Sequence, residues 1–422
     1  MKPARPNDEQ LLEVSIERIV PDGYGIAFAE NLTIFVPLVA AGDLVKIKID
    51  RIKGKIAFAS LIEVLKPSPD RIEPFCQYFG RCGGCDFQQM NYAAQLLAKT
   101  EIIRDCLRRI GKIDYQKTIE IIASPSQTNY RTRVQWKYDR ESNAFGYYER
   151  YSHNLLDVAR CPILADALQA ELDFWRNRLK TQKLKFKEIQ AVAANNQISR
   201  RIFQNDANPS ENFYAANHQL EKQSEIDRAS DNVNAGKINL KVNEFEYQFD
   251  ANVFFQVNHL LLSKFVENVV SQSRGSYALD LYCGVGLFTL PLAKRFAHVT
   301  GIESNQASVD FARLNAANAK LENAHFEIAR VGAWLENNKQ NLPLLNLVLL
   351  DPPRAGAERE AIETLIFLQP EAIVYVSCDP ATLARDLRLL LENNYAIEQI
   401  TAFDFFPNTH HVETVAHLKR KM

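Results

Sequence analysis

The sequence lacks the features that mark membrane, secreted and strongly charged proteins. Its longest apolar stretches, such as residues 346–350, are far shorter than the roughly 20 residues that a transmembrane helix needs. The first six residues, Met-Lys-Pro-Ala-Arg-Pro, contain no apolar segment of a secretory signal. With 50 Lys+Arg against 51 Asp+Glu, net charge gives no support to nucleic-acid binding. A nucleic-acid-binding surface on this protein must therefore be a local basic groove. We therefore expect a cytoplasmic globular protein without a membrane partner.

The first 66 residues predict a small β-barrel. Apolar and polar residues alternate over 12–16 and again over 45–49, which is the period of half-buried strands. Glycines mark turns between these strands, and short strands at such spacing are typical of closed, OB-like barrels. Because 422 residues exceed one ordinary core, the barrel is expected to begin a multidomain chain.

Residues 67–240 follow a proline-containing connector and are expected to form a central α+β domain. A helix is predicted from Tyr92 to Ile110, and strands are predicted near Val134 and over 145–148. The polar stretch 195–237 gives no clear signal for helix or strand.

Residues 241–422 alternate strand and helix patterns. Short apolar runs over 278–282, 299–302, 347–350 and 372–377 are typical of strands buried in a parallel sheet, and amphipathic stretches separate them. This pattern predicts a doubly wound α/β domain, with ligands bound at the carboxyl ends of its strands.

A glycine-containing loop begins at Asp280 with the sequence Asp-Leu-Tyr-Cys-Gly-Val-Gly-Leu-Phe. Gly284 and Gly286 permit a tight turn and a close approach of the backbone to a ligand, and Glu303 follows the next strand. The loop is not a G-x-G-x-x-G fingerprint and has no Walker lysine. A simple connection between elements would look similar, but the combination of loop, strand and acid favours a cofactor, and it resembles the S-adenosylmethionine site of class I methyltransferases.

A cysteine lies where a nucleophile would be expected. Cys378 ends the last predicted parallel strand, immediately before a helix whose N-terminus can stabilise a thiolate. A lone cysteine is more often a small buried residue, but this one shares the predicted cleft with the cofactor loop and with Asp351-Pro-Pro-Arg354. Related Asp-Pro-Pro sites that methylate amines carry an aromatic residue where this chain has Arg354, which disfavours an amine substrate.

Methylation of uracil at carbon 5 requires a nucleophile, and this cysteine could act as one. Attack of a thiolate on carbon 6 makes carbon 5 nucleophilic enough to accept a methyl group. A base must then remove the proton from carbon 5 so that sulfur can leave. Glu413 is the best candidate for that base because its apolar neighbours suggest burial, which raises the pKa of a carboxyl group. A structural salt bridge is the alternative for Glu413, and His410 and His411 are alternative bases.

Together these motifs resemble the RNA uridine-5-methyltransferase family. They occur in its order: Phe254 to Asn258, the Asp280 loop, Asp351-Pro-Pro-Arg354, Ser377-Cys378 and His411-Val412-Glu413. The resemblance implies a Rossmann-like catalytic domain with Cys378 as nucleophile and Glu413 as base. The residues it implies for S-adenosylmethionine binding are Gln256, Tyr282, Gly284, Gly286, Leu287, Glu303 and Asp351. Leu287 and Asp379 depart from the family, in which Asn can occupy the first position and is frequent at the second.

The resemblance also suggests contacts with RNA. Phe254 matches a position that stacks on RNA bases, and basic residues of the barrel and the central domain, including Arg131 and Arg133, are expected to hold phosphates. The first 66 residues resemble a TRAM domain, an RNA-binding barrel of RNA-modifying enzymes.

Three cysteines lie in one short loop, Cys76-x5-Cys82-Gly-Gly-Cys85, and Cys161 could supply a fourth thiolate. Four thiolates suit either a [4Fe-4S] cluster or structural zinc. By resemblance, these four cysteines match the iron–sulfur ligands of the branch that methylates 23S ribosomal RNA, in which the TRAM barrel also occurs. The methylation chemistry needs no electron transfer, so we expect the cluster to shape the RNA-binding domain.

The sequence therefore predicts a monomer that methylates carbon 5 of a uridine in 23S ribosomal RNA with S-adenosylmethionine. Three alternatives stay open: the same reaction on tRNA, a non-catalytic RNA-binding factor of ribosome assembly, and a redox iron–sulfur protein.

Overall fold

The N-terminal strands form a barrel in the computed structural model, which describes residues 11–203, 213–215, 236–271 and 274–421. The strands are β1 (Leu11–Ser15), β2 (Arg18–Ile19), β3 (Gly25–Ala29), β4 (Leu32–Val36), β5 (Leu44–Lys53) and β6 (Ile56–Lys66). They pair in the order β1-β5-β6-β4-β3-β2, and the Glu17 N–H, two residues after β1, donates to the Ile26 carbonyl of β3 at 2.8 Å, which brings the two ends of the sheet together. Alternate side chains such as Val45, Ile47 and Ile49 are buried inside. The predicted N-terminal barrel is confirmed.

A second antiparallel sheet forms the centre of the chain. Its strands are β8 (Arg133–Asp139), β9 (Ala144–Tyr148), β10 (Leu155–Asp157), β11 (Glu188–Ala194), β12 (Gln197–Phe203) and β13 (Phe213–Ala215), in the order β10-β9-β8-β11-β12-β13. Helix α2 (Asp166–Thr181) packs Leu172 and Trp175 against Trp136 of this sheet. Most of the stretch 195–237, which the sequence left unassigned, lies outside the described residues.

The third part is a sheet of eight strands flanked by helices. Its C-terminal strands are β16 (Gly275–Leu281), β17 (Phe296–Glu303), β18 (Ala324–Ile328), β19 (Leu347–Leu350), β20 (Ala372–Ser377), β21 (Tyr395–Phe403) and β22 (Glu413–Arg420). The helices are α3 (Leu262–Val270), α4 (Thr289–Ala293), α5 (Gln306–Asn318), α6 (Val331–Asn338), α7 (Arg359–Leu368) and α8 (Pro380–Glu392), and a hairpin of β14 (Ile238–Val242) and β15 (Phe245–Phe249) precedes them.

The order of this sheet is β18-β17-β16-β19-β20-β22-β21-β7, in which β7 is Glu120–Ile122. Strands β16 to β20 are parallel, and β22 runs antiparallel between β20 and β21. Strand β19 is buried along its whole length, because helices cover both faces of a parallel sheet. The predicted Rossmann-like domain is thus observed, with an antiparallel strand inserted near one edge.

Two elements from the central part of the sequence complete this sheet. Helix α1 (Tyr92–Cys106), which continues as a π-helical turn to Gly111, buries Ile102 and Ile103 in the same apolar cluster as Leu387 of α8. Strand β7 (Glu120–Ile122) pairs in parallel with β21 as the last strand. The predicted boundary between residues 240 and 241 therefore does not divide two separately packed domains, since residues 92–122 pack with the C-terminal sheet.

No helix in the described ranges is both long and apolar enough to cross a membrane.

Candidate active site and cysteine cavity

Three strand ends bring the predicted reactive residues together. Asp351 follows β19 and Cys378 follows β20, and these parallel neighbours end at the same edge of the sheet. Because β22 runs antiparallel to β20, with Thr414 opposite Ser377, its first residue Glu413 lies beside the end of β20. The pairing of the strands therefore places a thiol and two carboxyl groups in one cleft.

Burial dominates the protonation of this cleft. It is the main cause that raises the pKa of Cys378 to about 12; the Glu413 carboxylate adds to the rise and the Arg354 guanidinium opposes it. Glu413 is only 3% exposed, and burial raises its pKa well above the ordinary value, with Asp351 adding to the effect. Burial also raises the pKa of Asp351 to about 7. Burial therefore favours the neutral forms of the thiol and of the Glu413 carboxyl group.

Asp379, one of the two departures from the family pattern, caps helix α8. Its Oδ1 accepts hydrogen bonds from the backbone N–H groups of Ala381 and Thr382, at 2.9 and 2.8 Å, and Pro380 occupies the first helical position. The side chain that would add negative charge beside Cys378 is therefore engaged by the positive end of the helix.

A group of acids lines the neighbouring strand ends. One Asp280 oxygen accepts a hydrogen bond from Thr289 Oγ1 at 2.5 Å, while the other, Oδ1, is buried without a partner. Burial raises the pKa of Asp280 to about 7, and the carboxylates of Asp351 and Glu303 add to the rise. Within the described ranges none of these three acids forms an ion pair. Such a site favours a ligand that carries positive charge, as a methyl sulfonium with an ammonium group does.

The loop after β16 has the open backbone predicted from its glycines. Gly284 and Gly286 have φ angles of 53° and 87°, and Tyr282 adopts the same left-handed region at 65°. A Cβ atom at Gly286 would lie 2.9 Å from Leu290 Cδ1, whereas none of the described atoms lies within 4 Å of the corresponding position at Gly284. Glu303 Oε2 accepts a hydrogen bond from the Gly284 N–H at 3.3 Å and so connects the loop to the end of β17.

The segment around Phe254 presents one aromatic side chain to solvent. Phe254 is 63% exposed, whereas Gln256 and Leu287 are buried at 5% and 8%. Arg133, predicted to hold phosphates, instead donates hydrogen bonds to the carbonyl oxygens of Val253 and Ala251, at 2.7 and 3.0 Å. This arrangement favours a role for Arg133 in positioning the Phe254 segment.

The two alternative bases lie in the loop 404–412 between β21 and β22. His411 Nε2 is 3.3 Å from Arg354 Nη2, and burial lowers its pKa to about 2, with nearby cations adding to the effect. His410 Nδ1 lies 2.5 Å from Asp86 Oδ2. Both imidazoles therefore already have a partner, and the low pKa makes His411 a weaker base than the buried Glu413.

Sequence reasoning missed the residues that hold this loop. Lys99 is fully buried on α1, forms an ion pair with Asp404 and donates a hydrogen bond to the Phe406 carbonyl. Gln95 Oε1 accepts from the Asn408 N–H at 2.9 Å. No local pattern distinguishes Lys99 from a solvated lysine, because its partner lies 305 positions further along the chain.

All four cysteines of the predicted cluster line one cavity of about 780 Å³. Burial raises the pKa of Cys85 and Cys82, and the neighbouring cysteines add to both rises. Cys82 Sγ accepts a hydrogen bond from the Gly84 N–H at 3.4 Å. The Arg131 guanidinium lowers the pKa of three of the four thiols and so favours their anionic form.

The cysteine sulfurs do not form a ready site for a single ion. Across residues 11–203 and the other described ranges, no group of three or more His, Cys, Asp or Glu side chains is close enough to hold a metal. The iron–sulfur prediction therefore stays a prediction, and Arg131, expected at phosphates, instead lies beside the sulfurs.

Comparison with known proteins agrees with the geometry of the cleft. Residues 219–421 match the tRNA (uracil-5-)-methyltransferase family, and residues 12–69 match the TRAM domain of tRNA (uracil(54)-C(5))-methyltransferase. The 23S rRNA (uracil(1939)-C(5))-methyltransferase RlmD of Vibrio parahaemolyticus is 33% identical, over 96% of this chain and 94% of its own. The chain belongs to the RNA uracil-C5 methyltransferase family.

Other members of this family are similar over the same length. An RNA methyltransferase of Aquifex aeolicus is 31% identical, over 97% of this chain and 99% of its own. The tRNA (uracil-54, C5)-methyltransferase of Pyrococcus abyssi, solved with S-adenosyl-L-homocysteine, superimposes with a TM-score of 0.71 at 25% identity. That superposition covers 96% of this chain and all of the other. This chain thus shares its fold with that enzyme over nearly its whole length.

Proposed function

We propose that this protein methylates carbon 5 of a uridine in 23S ribosomal RNA, using S-adenosylmethionine. The observation that carries the proposal is the register of β20 and β22, which puts Glu413 beside Cys378 at the cofactor end of the sheet. RlmD proteins of Vibrio species, similar over 96% of this chain, are named as enzymes of that specificity. A ribosomal RNA substrate would place the protein in the cytoplasm, and one chain holds all the proposed catalytic groups, so a monomer suffices.

In this mechanism Cys378 adds to carbon 6 of the uracil. The thiol must first lose its proton to solvent, and its raised pKa means that little thiolate exists before the substrate binds. The Arg354 guanidinium lowers that pKa and can also stabilise the negative charge that spreads onto the pyrimidine ring. The target base has to leave any stack to reach this cleft, so a flipped or unpaired uridine is expected.

Glu413 completes the reaction in this mechanism. After carbon 5 carries the methyl group, Glu413 must have released its own carboxyl proton to solvent. Its carboxylate then takes the remaining proton from carbon 5, and the electrons of that bond restore the double bond of the ring as Cys378 leaves as a thiolate. Burial raises the pKa of Glu413 and so makes its carboxylate a stronger base, although the Arg354 guanidinium opposes part of the rise.

S-adenosylmethionine would be held by the loop after β16 and the adjacent strand ends, and when bound it supplies the methyl group. The buried, unpartnered Asp280 oxygen and the open space above Gly284 fit such a ligand. Glu303 is placed to accept hydrogen bonds from ribose hydroxyls, and Gln256, Tyr282, Gly286, Leu287 and Asp351 are the other proposed contacts.

A [4Fe-4S] cluster held by Cys76, Cys82, Cys85 and Cys161 is part of the proposal. The four thiols line one cavity, and four thiolates are the ligand set of a [4Fe-4S] cluster. Arg131 would balance part of the negative charge of the cluster and its thiolates. Purified protein should then be brown and contain iron, whereas colourless protein with stoichiometric zinc would refute this assignment.

The test is methylation of unmodified 23S ribosomal RNA with labelled S-adenosylmethionine. Wild-type protein should yield 5-methyluridine at one position, and Cys378→Ala should yield none, because no covalent addition can occur. Cys106→Ala is the matched control, since that free cysteine lies at the end of helix α1 and belongs to none of the proposed catalytic, cofactor or cluster groups. Undiminished product with Cys378→Ala would remove this sulfur from the mechanism.

The same reaction on tRNA is a second candidate, favoured by the likeness to the Pyrococcus abyssi tRNA enzyme over the whole chain. Parallel assays with unmodified tRNA and ribosomal RNA separate the two, and product on tRNA alone would replace the first proposal. A non-catalytic assembly factor would bind RNA but give no product on either.

A further inference from the structure

An exposed tyrosine lies at the tip of the connection between β9 and β10. Tyr151 is 72% exposed, and its φ angle of 54° is in the left-handed region that most side chains avoid. An aromatic residue at such a position contributes little to a core, and backbone strain of this kind is typical of residues held for binding.

Tyr151 is part of an aromatic surface that spans two domains. Its ring lies nearly parallel to that of Tyr24 in the barrel, with 6.4 Å between centroids and 11° between planes. The Arg150 guanidinium lies 5.1 Å from the Tyr151 ring centroid and donates a hydrogen bond to its hydroxyl oxygen. Tyr148, 40% exposed, lies two residues before this cation. Stacked tyrosines beside arginine are the side chains on which single-stranded nucleic acids place their bases.

The aromatic surface shares a cavity with residues near the proposed catalytic pair. Tyr24, Tyr148 and Tyr151 line the same cavity as Arg354 and His411. The Arg354 guanidinium lowers the pKa of both Cys378 and Glu413. A strand of RNA could therefore extend from the cleft to the tyrosines without leaving the protein surface.

The charges along this cavity favour an anion. In the described part of the chain, Arg150 and Arg354 form no ion pair with a carboxylate, although each donates a hydrogen bond to a neutral group. Of the acids in the lining, Glu149 is paired with Arg81 and Asp86 with His410, which leaves Asp22. Unpaired guanidinium groups are suited to phosphates.

The tyrosine connection is fixed by the cysteine loop. The Gly83 N–H donates to the Tyr148 carbonyl at 3.1 Å, and the Arg150 N–H donates to the Arg81 carbonyl at 2.8 Å. Cys82 and Glu149 form an antiparallel bridge between these two bonds. The loop that carries three of the cysteines therefore sets the position of the aromatic surface.

We propose that Tyr151, Tyr24 and Tyr148, with Arg150, form a stacking site for an unpaired RNA base that flanks the target uridine. This inference rests on the proposed function, because it takes the RNA in the cleft as its ligand. The site binds one flanking base on the tyrosines and the connecting phosphates on the guanidinium groups.

The test is binding of an oligouridine of about 12 nucleotides that carries one 2-aminopurine, measured without a methyl donor. Wild-type protein should quench the 2-aminopurine fluorescence by stacking. Tyr151→Ala should weaken binding about 5- to 150-fold and abolish the quenching, which corresponds to the 1–3 kcal/mol of one base stack. Tyr151→Phe should bind within about twofold of wild type, because it keeps the ring.

Phe367→Ala is the matched control. Phe367 is 58% exposed on α7, and Lys339 Nζ lies 5.6 Å from its ring centroid, so it resembles Tyr151 in exposure and cation contact but lies outside the cavity lining. Equal binding by wild type and Tyr151→Ala would overturn the proposal, as would an equal loss with Phe367→Ala. Tyr151→Asn, whose side chain tolerates the left-handed conformation, repeats the test if the alanine variant misfolds.

Failure of this inference is distinguishable from failure of the proposed function. Quenching without any 5-methyluridine on ribosomal RNA or tRNA would contradict the proposed activity and leave the stacking site in place. Methylation with an unchanged KM in Tyr151→Ala would contradict the stacking site alone. If duplex RNA competes for binding as strongly as single-stranded RNA does, the surface recognises the shape of an RNA helix and not an unpaired base, which would also contradict the stacking site.

Discussion

Replacement of Glu413 by glutamine should separate addition from elimination in the proposed reaction. Glutamine has the shape of the protonated carboxyl group that burial favours at Glu413, so Cys378 should still add to the base and the methyl group should still be transferred. Glutamine cannot accept the proton from carbon 5. General base catalysis contributes about 10²- to 10⁴-fold, so the turnover rate should fall by that factor while a methylated protein–RNA adduct accumulates.

The adduct is measured as a protein band that retains labelled RNA after denaturing electrophoresis. The double variant Cys378→Ala/Glu413→Gln should show no adduct, and Glu392→Gln, at an exposed ion pair on α8, should turn over like wild type. In the free protein, loss of the Glu413 charge should lower the pKa of Cys378, so iodoacetamide should alkylate the variant faster at alkaline pH. Turnover within about tenfold of wild type, or no adduct, would assign the base elsewhere.

Three further results are expected. Lys99→Met should destabilise the fold by about 3–5 kcal/mol, because it leaves the Asp404 carboxylate buried without its cation, whereas Lys339→Met at an exposed pair should cost under about 1 kcal/mol in urea unfolding. Arg133→Ala should raise KM for RNA more than it lowers kcat if the segment that carries Phe254 loses its position; a fall in kcat alone would contradict this. Cys161→Ser should reduce bound iron and visible absorbance, and retention of the full iron content would exclude Cys161 as a ligand.

The strands of the catalytic sheet could be read from the sequence because they are buried on both faces. The predicted bounds of β19 and β20 are those observed, since a short unbroken apolar run is typical of a central strand that is buried on both faces. The predicted helix over 92–110 is also present, although its last turn widens to a π-helix.

Other features depend on contacts between distant parts of the chain. Three residues of β7 carry no periodicity, so nothing local indicates that they join the catalytic sheet. Arg133 resembles any other basic residue of an RNA-binding protein until its carbonyl partners at 251 and 253 are known. Cys378 and Glu413 could be predicted because the reaction restricts which residue types can act as nucleophile and base. Supporting contacts can be made by many different residue types, so no motif marks them.

The pairing of β7 with β21 has a consequence for how the protein is made. Thr401 lies opposite Glu120, about 280 residues earlier in the chain. At translation rates of 5–20 residues per second, α1 and β7 leave the ribosome roughly 15 to 55 s before their partner strand exists. During that interval the apolar side of α1 is an exposed surface that chaperones could recognise, and ribosome-bound chains halted before residue 395 should bind them more strongly than completed chains do.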